Sequence, residues 1–234
     1  MNKANDDNKV YWLSTKEMQK SLKISDCELM HLRSAGKLPF KKLGNAFMYQ
    51  LPGTTTLLSH PLGVQLTDWY KARHPIDINN TPQSPTTVKS LEMLVTELLL
   101  PIEKKFGRIL ITYGFTSASL SRYIKKNTPL GTAPNIDQHA AHEVNGHHTE
   151  ICSRGGCACD FIVQNSSMAD VTRYIVDNLN FDRLYYYGGN RPIHVSVNEQ
   201  SNRHLQIMAE SPAGRRIPGR RAYGEAAVTL SKEL

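Results

Sequence analysis

The sequence predicts an α+β fold, with a small two-helix module and a β-hairpin ahead of a larger domain built on an antiparallel sheet. Three observations carry that expectation. Two S-x-x-E capping signals, Ser14 with Glu17 and Ser25 with Glu28, stand close together near the start, and a strand-turn-strand pattern follows them. Four strand-like segments cluster between 157 and 208. Helical segments lie before and among those strands, which is the order of an α+β domain rather than of alternating parallel units.

The first module covers 10–52. After the first cap Met18 and Leu22 recur at helical spacing, and after the second Leu29 and Leu32 do the same. Only Leu22-Lys23-Ile24 separates the two helices, a spacing that fits a helix-turn-helix. Gly36 stops the second helix. Phe40 to Leu43, Gly44-Asn45 and Phe47 to Tyr49 then read as strand, turn and strand.

The stretch 53–87 is rich in turn residues and reads as linker and lead-in, with a possible short helix near Leu66 to Tyr70. The main domain is placed at 88–210. It opens with a helix over 88–100, with Leu91, Leu94, Val95, Leu98 and Leu99 on one side, and a further turn from Pro101 to Gly107. A buried strand over 108–113 and a short helix over 117–126 follow. The late strands are expected at 157–163, 183–187, 193–197 and 205–208, with a helix over 168–179 capped by Ser167. Gly188-Gly189-Asn190 and the run 198–202 read as hairpin turns. The segment 211–234, with two Arg pairs between Pro and Gly, reads as a basic flexible tail.

Composition narrows the function classes. The chain has 234 residues, 40% hydrophobic and 21% charged, which suits a globular protein and excludes a mostly disordered one. No apolar run approaches the roughly 20 residues that span a bilayer, so no membrane partner is expected. The first nine residues are polar and carry acids, so no secretory leader is expected, and a cytoplasmic location with reduced cysteines follows from that reading. The net charge of +7 is concentrated at the ends: +4 over 1–60, zero over 61–210 and +3 over 211–234. Basic ends beside a neutral middle suggest a polyanion such as DNA. A protein partner is the other expectation for the first module.

Residues 14–51 resemble the winged helix-turn-helix of excisionase and MerR-type proteins. That resemblance implies a second helix presenting Met30, His31 and Arg33 to DNA, and a wing whose Lys41 and Lys42, with Lys37 ahead of it, meet phosphate. Arg215, Arg216, Arg220 and Arg221 in the tail are further phosphate candidates.

A second resemblance rests on collinear pieces. These are Asn80-Thr81-Pro82, the run from Pro101 to Gly107, the strand and loop from Ile109 to Ser117, Gly156-Cys157-Ala158-Cys159-Asp160, Phe181-Asp182-Arg183-Leu184 and Ile193-His194-Val195-Ser196. In this order they are similar to the zinc D-Ala-D-Ala carboxypeptidase and phage endolysin (DD-peptidase) family. The resemblance implies a Zn2+ held by a His, an Asp and a second His, with a position left for water. Asp160 and His194 transfer directly. Alternation in the strand also puts His194 and Ser196 on one face, away from Ile193, Val195 and Val197. The position of the first His holds Ser153, so His139 is chosen, in Asp137-Gln138-His139, with Ala140 to Arg154 as an insertion. His142 and Cys152 stand as substitutes, and a helical 139–142 would let both histidines face a metal.

The family's substrate-binding Arg falls on Thr116, and its catalytic Glu falls in 185–192, which holds no acid. Glu143 and Glu150 are the remaining candidates for a catalytic base. Three functions stay open: a DNA-binding protein of bacterial or mobile-element type with a repurposed metal-binding domain, an active zinc peptidase or amidase, and a metal-free interaction scaffold.

Overall fold

The computed structural model describes residues 12–52, 54–74, 76–128 and 138–234. The readings of the leader, of Gly53 and Pro75 as turn residues, and of Asp137 lie outside the described residues.

The chain opens with β1 (Trp12–Ser14), α1 (Thr15–Leu22), α2 (Asp26–Ser34), β2 (Phe40–Leu43) and β3 (Ala46–Gln50). Both predicted capping boxes form. The Ser14 and Ser25 hydroxyls accept the amides of Glu17 and Glu28, whose carboxylates accept the Ser14 and Ser25 amides in return. The strands form a three-stranded sheet in the order β1-β3-β2, and Gly44 turns the β2-β3 hairpin at φ +59°. Leu13, Met18, Leu29, Leu38, Tyr49 and Leu51 are buried beneath it.

The expected linker is instead part of the core. It forms α3 (Thr54–Leu58), α4 (Pro61–Asp68) and a 3-10 turn over Trp69–Ala72. Leu57, Leu62, Leu66, Trp69 and Tyr70 from it join one hydrophobic cluster with both the first module and the main domain. Each such fully buried side chain contributes about 1.5–3 kcal/mol. Turn-forming residues also start helices: Pro61 opens α4, where its missing amide costs nothing.

The long helix runs from Pro85 to Phe106 as α5 (Pro85–Met93), a π-helical stretch (Leu94–Leu99) and α6 (Leu100–Phe106). Pro101 lies in the first turn of α6, where a π turn accommodates the lost hydrogen bond. Then come β4 (Ile109–Tyr113), α7 (Ala118–Asn127), a 3-10 turn (Gln138–Ala140), β5 (Cys157–Val163), α8 (Met168–Asn178), β6 (Arg183–Tyr186), β7 (Ile193–Val197), β8 (His204–Glu210), β9 (Arg216–Ala222) and α9 (Glu225–Ser231).

The main sheet has six strands in the order β4-β5-β7-β6-β8-β9. It is mixed rather than antiparallel, because β8 runs parallel to β6. The run 198–202 therefore crosses past β6 and is not a hairpin turn. Asn202 is drawn out of the strand path by Asp182, whose Oδ1 accepts its amide and its side-chain nitrogen.

The C-terminal segment is folded and is not a flexible tail. Residues 216–222 pair with β8 and α9 buries Ala227, Leu230 and Ser231. Pro218 and Gly219 read as breakers, yet β9 is an edge strand, where an outward-facing missing amide is tolerated.

Register gives the sheet two faces. One row of aligned residues is Cys159, Val195, Leu184, Leu205 and Ala222, and it lies in the core. Helices α5, α8 and α9 pack against this sheet. The next row points the other way and crosses all six strands: Tyr113, Asp160, His194, Tyr185, Gln206 and Arg221.

Candidate metal centre

Cross-strand register brings the first two candidate ligands together. Asp160 of β5 and His194 of β7 are direct partners, and paired residues point to the same face. Gly156 directly precedes β5 at φ +66°, and a Cβ there would lie 1.9 Å from the Val197 carbonyl oxygen. The first glycine of the motif is therefore needed for β5 to approach β7 and set that register.

His139 arrives from a different part of the chain. It sits in the 3-10 turn after α7, buried against the loop that follows β4. That loop is itself pinned: Trp69 Nε1 and Asn80 Nδ2 donate to the Phe115 carbonyl, and the Ser117 amide donates to Asn80 Oδ1. The Thr116 amide then donates to the His139 carbonyl at 2.9 Å. Thr116, where the resemblance places a substrate-binding Arg, is thus a buried backbone clamp.

The nitrogen and oxygen atoms of His139, Asp160 and His194 converge to within 4.8 Å of one another, a group able to hold a metal ion. His194 Nδ1 lies 2.8 Å from Asp160 Oδ1, and His139 Nε2 lies 3.4 Å from the same oxygen. His139 Nδ1 sits 3.2 Å from the Gly114 carbonyl oxygen. A carbonyl can only accept, so Nδ1 carries the proton, and in the neutral ring the Nε2 lone pair faces the carboxylate. Such an outer contact fixes the tautomer and orientation of a metal-binding imidazole. Two ligands about 2.0–2.1 Å from a tetrahedral zinc stand about 3.3 Å apart, so the His139–Asp160 spacing already suits the ion.

Aromatic rings complete the pocket. Tyr113 meets the His139 ring edge-on at 4.5 Å and Tyr185 stacks on His194 at 4.9 Å. Burial by itself pushes the Asp160 carboxyl up. When the imidazoles are protonated, the charge and hydrogen bonds of His139, with those of His194, outweigh it and hold Asp160 well below the usual carboxylate range. Burial, with the Asp160 and Tyr185 charges, pushes the Tyr187 phenol up to about 12, so it keeps its proton at neutral pH. The tyrosines were missed by residue-type reasoning, which sought acids in 185–192. For Tyr185 the available signal is alternation along β6.

Comparison with protein-family models, curated proteins and solved structures finds no match to this chain. The geometry alone therefore sorts the candidates.

His142 does not join the group. Ala141 turns left-handed at φ +48°, which breaks any helix after His139, and His142 Nε2 meets Ser90 Oγ at 3.1 Å. Cys152 is buried, and it does not belong to the converging group. Burial pushes the Cys157 and Cys159 thiols up, so they stay protonated, and Cys157 donates to the Ser90 carbonyl.

Neither acid offered as a base stands among the ligands. Glu143 is buried and its Oε1 accepts the amides of Gln83 and Ser84 at 2.9 and 3.2 Å. Glu150 is exposed on the loop, in a bridge with Val144.

In the first module Met30, His31, Lys37, Lys41 and Lys42 are exposed. Arg33 is engaged within the module: Nη1 donates to Tyr49 Oη at 2.9 Å and the guanidinium lies 3.8 Å above the Phe47 ring. Arg215, Arg216, Arg220 and Arg221 are exposed on or beside β9, with Arg216 paired to Glu210 and Arg220 to Glu233.

Proposed function

We propose that this chain is a DNA-binding metalloprotein whose main domain holds Zn2+ through His139, Asp160 and His194. The observation that carries the metal is His139, which brings Nε2 to Asp160 while a carbonyl holds Nδ1–H. The resemblance to zinc DD-peptidases agrees with the same three residues. Zinc bound there supplies a Lewis acid with a coordination position left open. Around it, Tyr113 and Tyr185 fix the two imidazole planes, and Asp160 stays ionised. The test is metal content after purification without chelator. About one zinc per chain is expected, and it should be lost in His194→Ala. Fewer than about 0.1 equivalents in the unaltered chain would end the zinc assignment.

For DNA the supporting observation is that Lys37, Lys41 and Lys42 remain exposed around a hairpin that follows two capped helices. The Lys41→Glu/Lys42→Glu chain should show weaker DNA binding and a shallower salt dependence, by about one unit of log–log slope for each phosphate no longer neutralised. An unchanged slope would remove the module from the interface.

A hydrolase is the second reading, favoured by the open position of a three-ligand site. Glu143 is committed elsewhere, and a missing base forfeits about 10²–10⁴-fold in rate. We expect the zinc-loaded chain to release no D-Ala from D-Ala-D-Ala peptides. Release that His194→Ala abolishes would put the hydrolytic reading first.

A further inference from the structure

We propose that Glu143 is a positioning residue for the metal centre, fastening the turn that carries His139 to the start of α5. This rests on the metal reading above. His139 is the one ligand of the three that no strand holds, so its place depends on what clamps its turn.

The clamps can be followed atom by atom. The Glu143 amide donates to the Ala140 carbonyl at 3.0 Å and closes the turn directly after His139. From that closed turn the Glu143 side chain reaches sixty residues back along the chain, to two amides at the α5 N-terminus. Its carbonyl accepts the Ile151 amide at 3.0 Å, which secures the returning loop. On the opposite side Gln138 Nε2 donates to the Gly155 carbonyl at 3.1 Å and to Asp182 Oδ2 at 3.3 Å.

Glu143 is only 5% exposed. Burial pushes its carboxyl above the usual range, against the opposing hydrogen bonds of Gln83, Thr87 and Ser84. Removing the carboxylate leaves two half-buried amides without an acceptor and the turn without its outer anchor. A carboxylate also suits this place electrostatically, since a helix start carries partial positive charge. Gln at 143 keeps an oxygen acceptor at the same reach, whereas Ala keeps none.

The experiment is a zinc competition titration against a chromophoric chelator, on the full chain. It compares the unaltered protein with Glu143→Ala, Glu143→Gln, His139→Ala and the double variant Glu143→Ala/His139→Ala. Thermal unfolding of each metal-free form checks the fold. Glu143→Ala should weaken zinc binding by about 10–100-fold, the range for outer contacts of metal ligands, and Glu143→Gln by less than about 3-fold on the same scale. With His139 already removed, Glu143→Ala should cost nothing further. The visible spectrum of the cobalt(II)-substituted Glu143→Ala chain should move toward that of His139→Ala. If Glu143→Ala does not fold, Glu143→Asp, one methylene shorter, makes the same comparison. Unchanged affinity in the Ala or Asp variant, or an equal loss with and without His139, overturns the positioning role alone. No zinc binding by the unaltered chain overturns the metal centre and this role with it.

Discussion

Gln138 and His139 are neighbours in one turn, yet they reach two carboxylates that the protein treats in opposite ways. Asp182 is met by the Asn202 amide at 3.1 Å, Asn202 Nδ2 at 2.6 Å, Gln138 Nε2 at 3.3 Å and Arg183 Nε at 3.6 Å. These donors keep their protons at any ordinary pH, so the site is saturated. The histidine beside it, His204, turns Nδ1 to the Arg183 guanidinium at 3.3 Å, where a second cation would be repelled. Asp160 is met by two imidazoles, which can give up a proton and offer a lone pair instead. Carboxylate plus histidine is therefore not enough to mark a metal site. The remaining donors decide between a group able to hold an ion and a structural network.

The largest contrast comes from exchanging the losses. Asp160→Ala should reduce zinc from about one equivalent to background. Asp182→Ala should leave zinc near one equivalent and destabilise the fold by about 3 kcal/mol, because it strands buried donors and the Arg183 charge. In thermal unfolding that is roughly 6–12 °C for a chain of this size. A matched loss of zinc in both variants would show that the two clusters act as one.

A smaller effect separates the histidines by pH. Burial above all, then the charges of Arg183, Arg221 and Arg154, push His204 below its ordinary value against the opposing pull of Asp182. A depressed histidine contributes stability that is complete above its unfolded pKa of about 6.5 and is lost as pH falls through the folded value. Metal-free protein should thus lose stability from pH 7 to 5, and His204→Gln should make that fall shallower. His142, also lowered by burial, leaves part of the slope in place. An identical slope in the variant would rule His204 out as its source.

The smallest expected effect is at Tyr185. Tyr185→Phe keeps the ring stacked on His194 and should change zinc affinity by less than about 2-fold, since aromatic stacking is worth about 0.5–1.5 kcal/mol in total. Zinc titration checks it, and a tenfold loss would assign a role to the hydroxyl.

Much of this was legible locally. Both capping boxes, the Gly44 turn, and the strands carrying Asp160 and His194 follow from side chains a few residues apart. The alternation that sets His194 apart from Val195 and Val197 was equally local. What stayed hidden depended on remote partners. Pro218-Gly219 reads as a break until β8 supplies a strand to pair with. Glu143 reads as a candidate base until α5, sixty residues earlier, presents its amides. Turn-rich 54–72 reads as linker until Leu66 and Trp69 find the main core.

By itself, then, the sequence determined the helix starts capped by Ser14, Ser25 and Ser167, the strand periodicity and the residue types of a zinc-like ligand set. Only the tertiary structure decided that His139 rather than His142 or Cys152 converges with Asp160 and His194, that β6 and β8 run parallel, and that the last residues close the sheet. The physical reason is range. Caps and alternation are settled within one turn or one pleat, whereas ligand convergence requires β5, β7 and a clamped turn to meet, each held by hydrogen bonds to distant segments.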